Sequence, residues 1–221
     1  LSGNPQGNTV LGIDAGNALT FGINNTIIGN DAGKAIANGG NNVFIGFEAG
    51  LTSTINTSDM VVIGEKAFSS GSGGSGSVLI GKQAGVSQTG ELIVGVGRES
   101  ARVNTADYHI SVGYQAGYSQ TSGLENTNLG FEAGYSSTTA GQRTCIGYRA
   151  GKSNTGVSNT FIGRSAGSVA STGASNVVIG SNCMAFGAIG AQNVAIGVQA
   201  AQSATGNYNA IVGMQAAQYK T

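Results

Sequence analysis

The sequence predicts an all-β solenoid of about 13 short coils with two short strands per coil, and three observations carry that prediction. A nine-residue pattern, fullest at Asn159-Thr160-Phe161-Ile162-Gly163-Arg164-Ser165-Ala166-Gly167, returns along the whole chain. Its central glycine falls at Gly12, Gly29, Gly46, Gly64, Gly81, Gly97, Gly113, Gly130, Gly147, Gly163, Gly180, Gly197 and Gly213, which is 13 copies spaced 16 to 18 residues apart. A fixed short period marks a solenoid or an array. The second observation is composition: Gly is 39 of 221 residues with one Pro and no Trp, so the glycines belong neither to a Pro/Gly coil nor to collagen. The third is alternation. The residue before the glycine is aliphatic in every copy, and the residue three before it is Thr, Val, Ile or Ala, the period-2 pattern of a short strand.

Each column of the repeat carries its own expectation. The anchor glycine sits at a corner that needs positive φ. Three residues after it stands Ala in all copies but those of Ser100 and Cys183, so a small residue inside a narrow coil is expected there, on a second short strand facing the aliphatic column. Asn recurs four before the anchor, at Asn8, Asn25, Asn42, Asn126, Asn159, Asn176, Asn193 and Asn209. Two readings are open: a ladder of amides bonded from coil to coil, or a residue chosen for its tolerance of turns. The column two before the anchor is mostly apolar (Val10, Ile27, Phe44, Val62, Leu79, Phe161, Val178, Ile211) although the alternation turns it away from the aliphatic columns. With the aliphatic columns taken as the interior, this column is the outer stripe and is expected to pack against neighbouring subunits. The copies at Gly97, Gly113 and Gly130 break it with Gly95, Ser111 and Asn128, and Ser69 to Ser77 reads as a low-complexity loop.

Charge excludes some functions. Formal net charge is 0, against the basic excess of a nucleic-acid binder, and no apolar run is long enough to insert into a membrane. Cys145 and Cys183 belong to copies two repeats apart, roughly 10 Å along a stack of strands about 4.8 Å apart, which is too far for a disulfide, so neither a bridge nor a zinc site is expected. The whole of residues 1–221 reads as one repeat solenoid, an excerpt of a longer fibre protein.

Asn193-Val194-Ala195-Ile196-Gly197-Val198-Gln199-Ala200 resembles the head repeat of trimeric autotransporter adhesins, the YadA-like heads. Asn159-Thr160-Phe161-Ile162-Gly163 with Ala166-Gly167 resembles still more the Ile-Gly repeats of bacteriophage tail fibres. The resemblance implies a homotrimeric, left-handed parallel β-roll used for adhesion. The repeats are longer than those of the autotransporters, and no heptad stalk or anchor segment is present in the sequence, which favours a phage tail fibre in the virion over a bacterial surface adhesin head outside the cell.

Candidate chemistry is sparse. His109 stands alone where Asn is usual, and reads as a turn residue. Asp14, Asp31 and Glu48 share one column two after the anchor, where carboxylates about 5 Å apart match the spacing of retaining glycosidases and also suit Ca²⁺. That column is otherwise variable and polar, as on a solvated face, so neither a metal, a cofactor nor catalysis is expected. Tyr114, Phe131 and Tyr148 directly follow the anchor in three successive copies, with Tyr118 and Tyr135 four residues further on. Exposed rings suit the apolar faces of sugars, and Arg143, Arg149, Lys152 and Arg164 nearby suit the phosphates or carboxylates of a glycan. Ring-on-ring packing is the competing account. The expected function is therefore a non-enzymatic structural and adhesive segment whose partners are its own copies and a host cell-surface glycan or protein. A glycan depolymerase with a carboxylate site between subunits is the alternative from another class. An ice-binding surface would need a regular Thr array, which Val and Ile interrupt.

Overall fold

A computed structural model describes residues 6–52, 56–169, 171–187, 189–202 and 206–217. Leu1 and Thr221, the bounds of the single domain expected from the sequence, lie outside them. The fold is an all-β parallel solenoid of about 12 turns. Two compact units divide the chain, Leu1–Tyr108 and His109–Thr221. Unit 1 contains β1 (Thr9–Leu11), β2 (Thr26–Ile28), β3 (Val43–Ile45), β4 (Val61–Ile63), β5 (Val78–Ile80), β6 (Val94–Val96) and the two-residue β7 (Val103–Asn104). Unit 2 contains β8 (Ile110–Val112), β9 (Ser119–Gln120), β10 (Thr127–Leu129), β11 (Thr144–Ile146), β12 (Thr160–Ile162), β13 (Val177–Ile179), β14 (Val194–Ile196) and β15 (Ala210–Val212). Within each unit the three-residue strands pair in parallel from coil to coil, like column on like column: Thr160 faces Val177, Phe161 faces Val178 and Ile162 faces Ile179.

Among the described residues no second strand carries the Ala column; the two-residue β7 and β9 are the second strands present, and they lie beyond that column. The segment after the anchor turns instead, because several residues adopt left-handed backbone. The residue two after the anchor has φ between 51° and 58° throughout, from Asp14 (52°) to Gln215 (55°). This column contains no β-branched side chain. Such side chains fit left-handed backbone worst, so the sequence carried the signal in what it leaves out. The turned segment still bonds coil to coil: Gly151 N–H donates to the Ala166 carbonyl (2.9 Å) and Gly167 N–H to that of Cys183 (3.0 Å).

The alternation is real, but its two faces are exchanged. Ile27, Phe44, Val62, Leu79, Phe161 and Val178 are completely buried within a single chain, so the column expected at subunit contacts fills the coil. No residue of the aliphatic column before the anchor, Leu11 to Val212, is buried, nor is any of the column from Thr9 to Ala210. The reason is the corner. The chain must turn toward the side on which the Ala column lies, and in a three-residue strand the middle residue is the one that points there. Ala32, Ala49, Ala133, Ala150 and Ala166 are buried inside the coil, as expected, but on the side of this middle column rather than facing the aliphatic one. The core of unit 1 gathers Ile27, Phe44, Met60, Val62, Phe68 and Leu79; that of unit 2 gathers Cys145, Phe161, Val178, Cys183, Ala195 and Ile211. Both cysteines are free and buried. Burial pushes the Cys183 thiol up to about 11.

The Asn column forms the ladder. Asn176 Nδ2 donates to Asn159 Oδ1 (3.0 Å), Asn193 Nδ2 to Asn176 Oδ1 (3.1 Å) and Asn209 Nδ2 to Asn193 Oδ1 (2.9 Å). Each Oδ1 also accepts the backbone N–H of the next Asn, as Asn159 Oδ1 does from Asn176 (2.8 Å). The turn account fails at this column: left-handed backbone falls on the residue before the Asn, as at Asn24 (57°), Asn41 (58°) and Ser158 (57°). His109 is likewise a ladder member rather than a turn residue; its buried Nδ1 accepts the Asn126 N–H at 3.2 Å.

Spacing between coils depends on the anchor. At Gly163 (φ 130°) a Cβ would lie 2.6 Å from the Gly180 carbonyl oxygen. At Gly167 a Cβ would meet the Phe161 ring at 2.1 Å. Gly163→Ala is expected to cost about 1–3 kcal/mol through backbone conformation, with further loss from the carbonyl contact. Phe161→Ala is expected to cost about 3–5 kcal/mol as a core deletion. Ile162→Ala, outside the coil in one chain, loses less than Phe161→Ala. Equilibrium unfolding of the three variants checks the order, and equal losses at Phe161 and Ile162 would contradict the assignment of faces within the chain.

Candidate functional site

The residue directly after the anchor leaves the corner pointing outward, because the Gly before it and the left-handed residue after it turn the backbone around it. In unit 2 this column brings rings into register. Tyr114 stacks on Phe131 (centroids 5.0 Å apart, planes at 20°) and Phe131 on Tyr148 (5.2 Å, 14°). Tyr118 and Tyr135 make a second stack (4.9 Å, 17°). Phe131 and Tyr148 are exposed. Arg164, also exposed, continues the column one coil beyond Tyr148, as the pairing of Ile146 with Ile162 requires.

The rings therefore spend their faces on one another. Ring edges and the exposed Tyr148 remain for a ligand, in place of the open faces expected from the sequence. A cluster of charge lies between the two stacks. Glu132 accepts from Arg149 Nε (2.7 Å) and Lys152 Nζ (2.6 Å). Arg149 lies over the Tyr148 ring at 5.0 Å and Lys152 over that of Tyr135 at 5.5 Å. Partial burial pushes the Glu132 carboxyl up, but the hydrogen bonds from Lys152 and Arg149 outweigh it and hold the group below its ordinary value. Two cations per carboxylate leave this patch with an excess of positive charge.

Other candidates are placed elsewhere. Arg143, expected among the outward cations, is buried inside the coil. It stands in the Asn column, which points inward, and its Nη1 donates to the Asn154 carbonyl at 2.5 Å. Burial pushes the Cys145 thiol up, and neighbouring Arg143 works against that rise. Asp14, Asp31 and Glu48 lie on the outward column two after the anchor and are engaged by lysines: Lys34 Nζ donates to Asp31 (2.7 Å) and Asp14 (3.2 Å), and Lys66 pairs with Glu48 at 3.7 Å. Hydrogen bonds to Asp31 and then Asp14 raise the Lys34 pKa. Among the described residues no three His, Cys, Asp or Glu side chains gather in a metal-binding group. A shallow groove of unit 2 lies along Ser122, Leu124, Glu125, Thr139, Gln142 and Val157. No family model, curated protein or solved structure matches this chain.

The Glu132 cluster has a pH signature. Its lowered folded-state pKa contributes stability that is complete above the ordinary glutamate value of 4.5 and is lost as pH falls through the folded value. Glu132→Gln is therefore expected to melt below the parent at neutral pH, with the gap closing in acid. Melting temperatures of the two proteins from pH 7 to pH 3 check this, and a gap that stays constant would contradict it.

Proposed function

We propose that this chain is a non-enzymatic structural and adhesive segment of a homotrimeric fibre, of the phage tail-fibre kind, that contributes to attachment to a host surface. One observation carries the reading: the outward strand face is apolar through every described coil. Leu11, Leu129, Ile196 and Val212 stand in one of its columns with exposures of 64%, 45%, 37% and 70%. Beside them runs the column of Thr, Val and Ile from Thr9 to Val194. A parallel sheet is ordinarily covered on both faces, and the coil covers only the inner one. Copies of the same chain supply a matching surface, since each column meets its own kind around a symmetry axis. The subunit contact thus moves from the Phe44 and Phe161 column to the Ile45 and Ile162 column, and the case for assembly is stronger, because this column is aliphatic in all 13 copies.

Attachment is assigned to the unit 2 surface of Tyr114, Phe131 and Tyr148 with Arg149 and Arg164. Ring edges, tyrosine hydroxyls and surplus cations suit an acidic glycan, and three copies around a trimer convert a weak site into avid binding. The ion pairing of Asp14, Asp31 and Glu48 with lysines disfavours the depolymerase alternative, which needs one carboxyl kept protonated.

Light scattering of the purified chain is expected to give three times 21.9 kDa. Ile162→Glu with Ile179→Glu should shift the mass toward one copy. A parent protein of single-copy mass would refute the assembly. Tyr114→Ser with Tyr148→Ser should lower binding to host cells about tenfold or more through lost avidity, while the trimer persists. A folded double variant that binds like the parent would remove the ring column from the adhesive surface.

A further inference from the structure

His109 stands in the Asn column but does not bond as an asparagine does. At a regular rung one amide oxygen accepts twice: Asn25 Oδ1 takes the Asn42 N–H at 2.9 Å and Asn42 Nδ2 at 3.0 Å. His109 Nδ1 has a single lone pair, and it accepts the Asn126 N–H at 3.2 Å. Asn126 Nδ2 turns instead to the Gly123 and Ala140 carbonyls, at 3.1 and 2.9 Å. A ring nitrogen that accepts carries no proton, so the imidazole is neutral with its hydrogen on Nε2.

The surroundings oppose a positive charge on this ring. His109 is completely buried, and among the described residues no Asp or Glu is buried with it. Strands β8, β9 and β10 carry no titratable side chain. Asp107, two residues before it, accepts the Glu91 N–H at 2.8 Å, and Glu125, next to Asn126, accepts from Gln142 at 3.3 Å on the exposed surface. The buried charge of unit 2 is Arg143, in the same column two coils on, whose N–H donates to Asn126 Oδ1 at 3.0 Å. It has the sign an imidazolium would have.

We propose that His109 is a pH-sensitive rung, at which uptake of one proton from solvent breaks the ladder and opens the first coil of unit 2. Protonation at Nδ1 replaces an acceptor with a donor and sets it against the Asn126 N–H. It also adds a second cation to an interior that already holds Arg143, and an uncompensated buried charge is costly. Local opening relieves both by exposing the ring to water. An asparagine rung takes up no proton in this range. Below the ordinary histidine value of about 6.5 the opened chain binds the proton and the closed chain does not, so stability is complete above that value and is lost as pH falls below it. His109 is the single histidine of the chain, and the carboxylates titrate well below it, so the interval down to about pH 5 reports on this rung. The rung lies inside the coil and is independent of the adhesive surface, so failure of either leaves the other standing.

Amide hydrogen exchange of the parent and of His109→Asn, at fixed ionic strength and protein concentration from neutral pH down to about pH 5, tests this. The protection of the Asn126 N–H in the parent, corrected for the intrinsic exchange rate, is expected to fall about tenfold for each pH unit below about 6. In His109→Asn, which restores the residue usual in the column, protection is expected to stay level. A parent whose protection stays level overturns the proposal, as does a variant that loses protection in parallel with the parent. Nitrogen NMR of the unmodified chain labelled at histidine needs no variant and decides the matter even where His109→Asn does not fold. The single ring is expected as the neutral Nε2–H form for as long as the coil is closed. A folded chain whose ring charges at the ordinary value of about 6.5, or carries its proton on Nδ1, overturns the rung.

Discussion

The approach of one coil to the next at the anchor glycine governs this structure. There the carbonyl of the following coil occupies the space a side chain would need, with Gly180 O 2.6 Å from the absent Cβ of Gly163. Only that closeness lets the flanking backbone bonds form together, from Gly163 N–H to Ile146 and from Gly180 N–H to Ile162, both 2.8 Å. With the coils at strand spacing, every other column falls into register: amide on amide, ring on ring, aliphatic on aliphatic. Side chains then gain from a neighbour of their own kind, which is why the columns are so uniform.

Much of this was legible in the residues. The period, the short strand, the small residue at Ala166 and the glycine corner all followed from which side chains recur, because steric exclusion writes itself into sequence. The ladder was legible as one of two readings, and the geometry decides between them by placing left-handed backbone at Ser158 rather than Asn159. Which face points inward was not legible. A strand apolar on both faces has no contrast from which to read a direction, and uniform β-branched residues look like a core. The better sign is variability of size: the inner column ranges from Phe161 to Gly95 because each member is matched to its neighbours in the coil, as Phe161 is to Gly151 and Gly167. The outer columns vary little because they answer only to strand propensity and to whatever covers them.

The candidate surface was legible in part. Spacing alone placed Tyr114, Phe131 and Tyr148 together, and they stack. It did not reveal that Glu132 binds both cations between the two stacks, since that depends on side chains reaching across coils. Arg143 was misplaced for a plain reason: an arginine is ordinarily a surface residue, and its position in an inward column weighed less than its charge. Polar residues likewise replace apolar ones inside the coil at Ser111, Gln120, Asn128 and Asn154.

Coil-to-coil bonding also bears on how such a gene changes length. Since Asn159, Asn176 and Asn193 make the same bonds to their successors, excision of one whole repeat between equivalent codons rejoins partners that already fit. Loss of a few residues within the strand or corner instead takes that coil's columns out of register with its neighbours, whereas the closing turn already absorbs one or two residues, since like columns pair across spacings of 16, 17 and 18 residues. Unequal recombination between repeats is therefore structurally neutral where small deletions inside the strand and corner are not, and lineages carrying this architecture should differ by complete coils or in the closing turns.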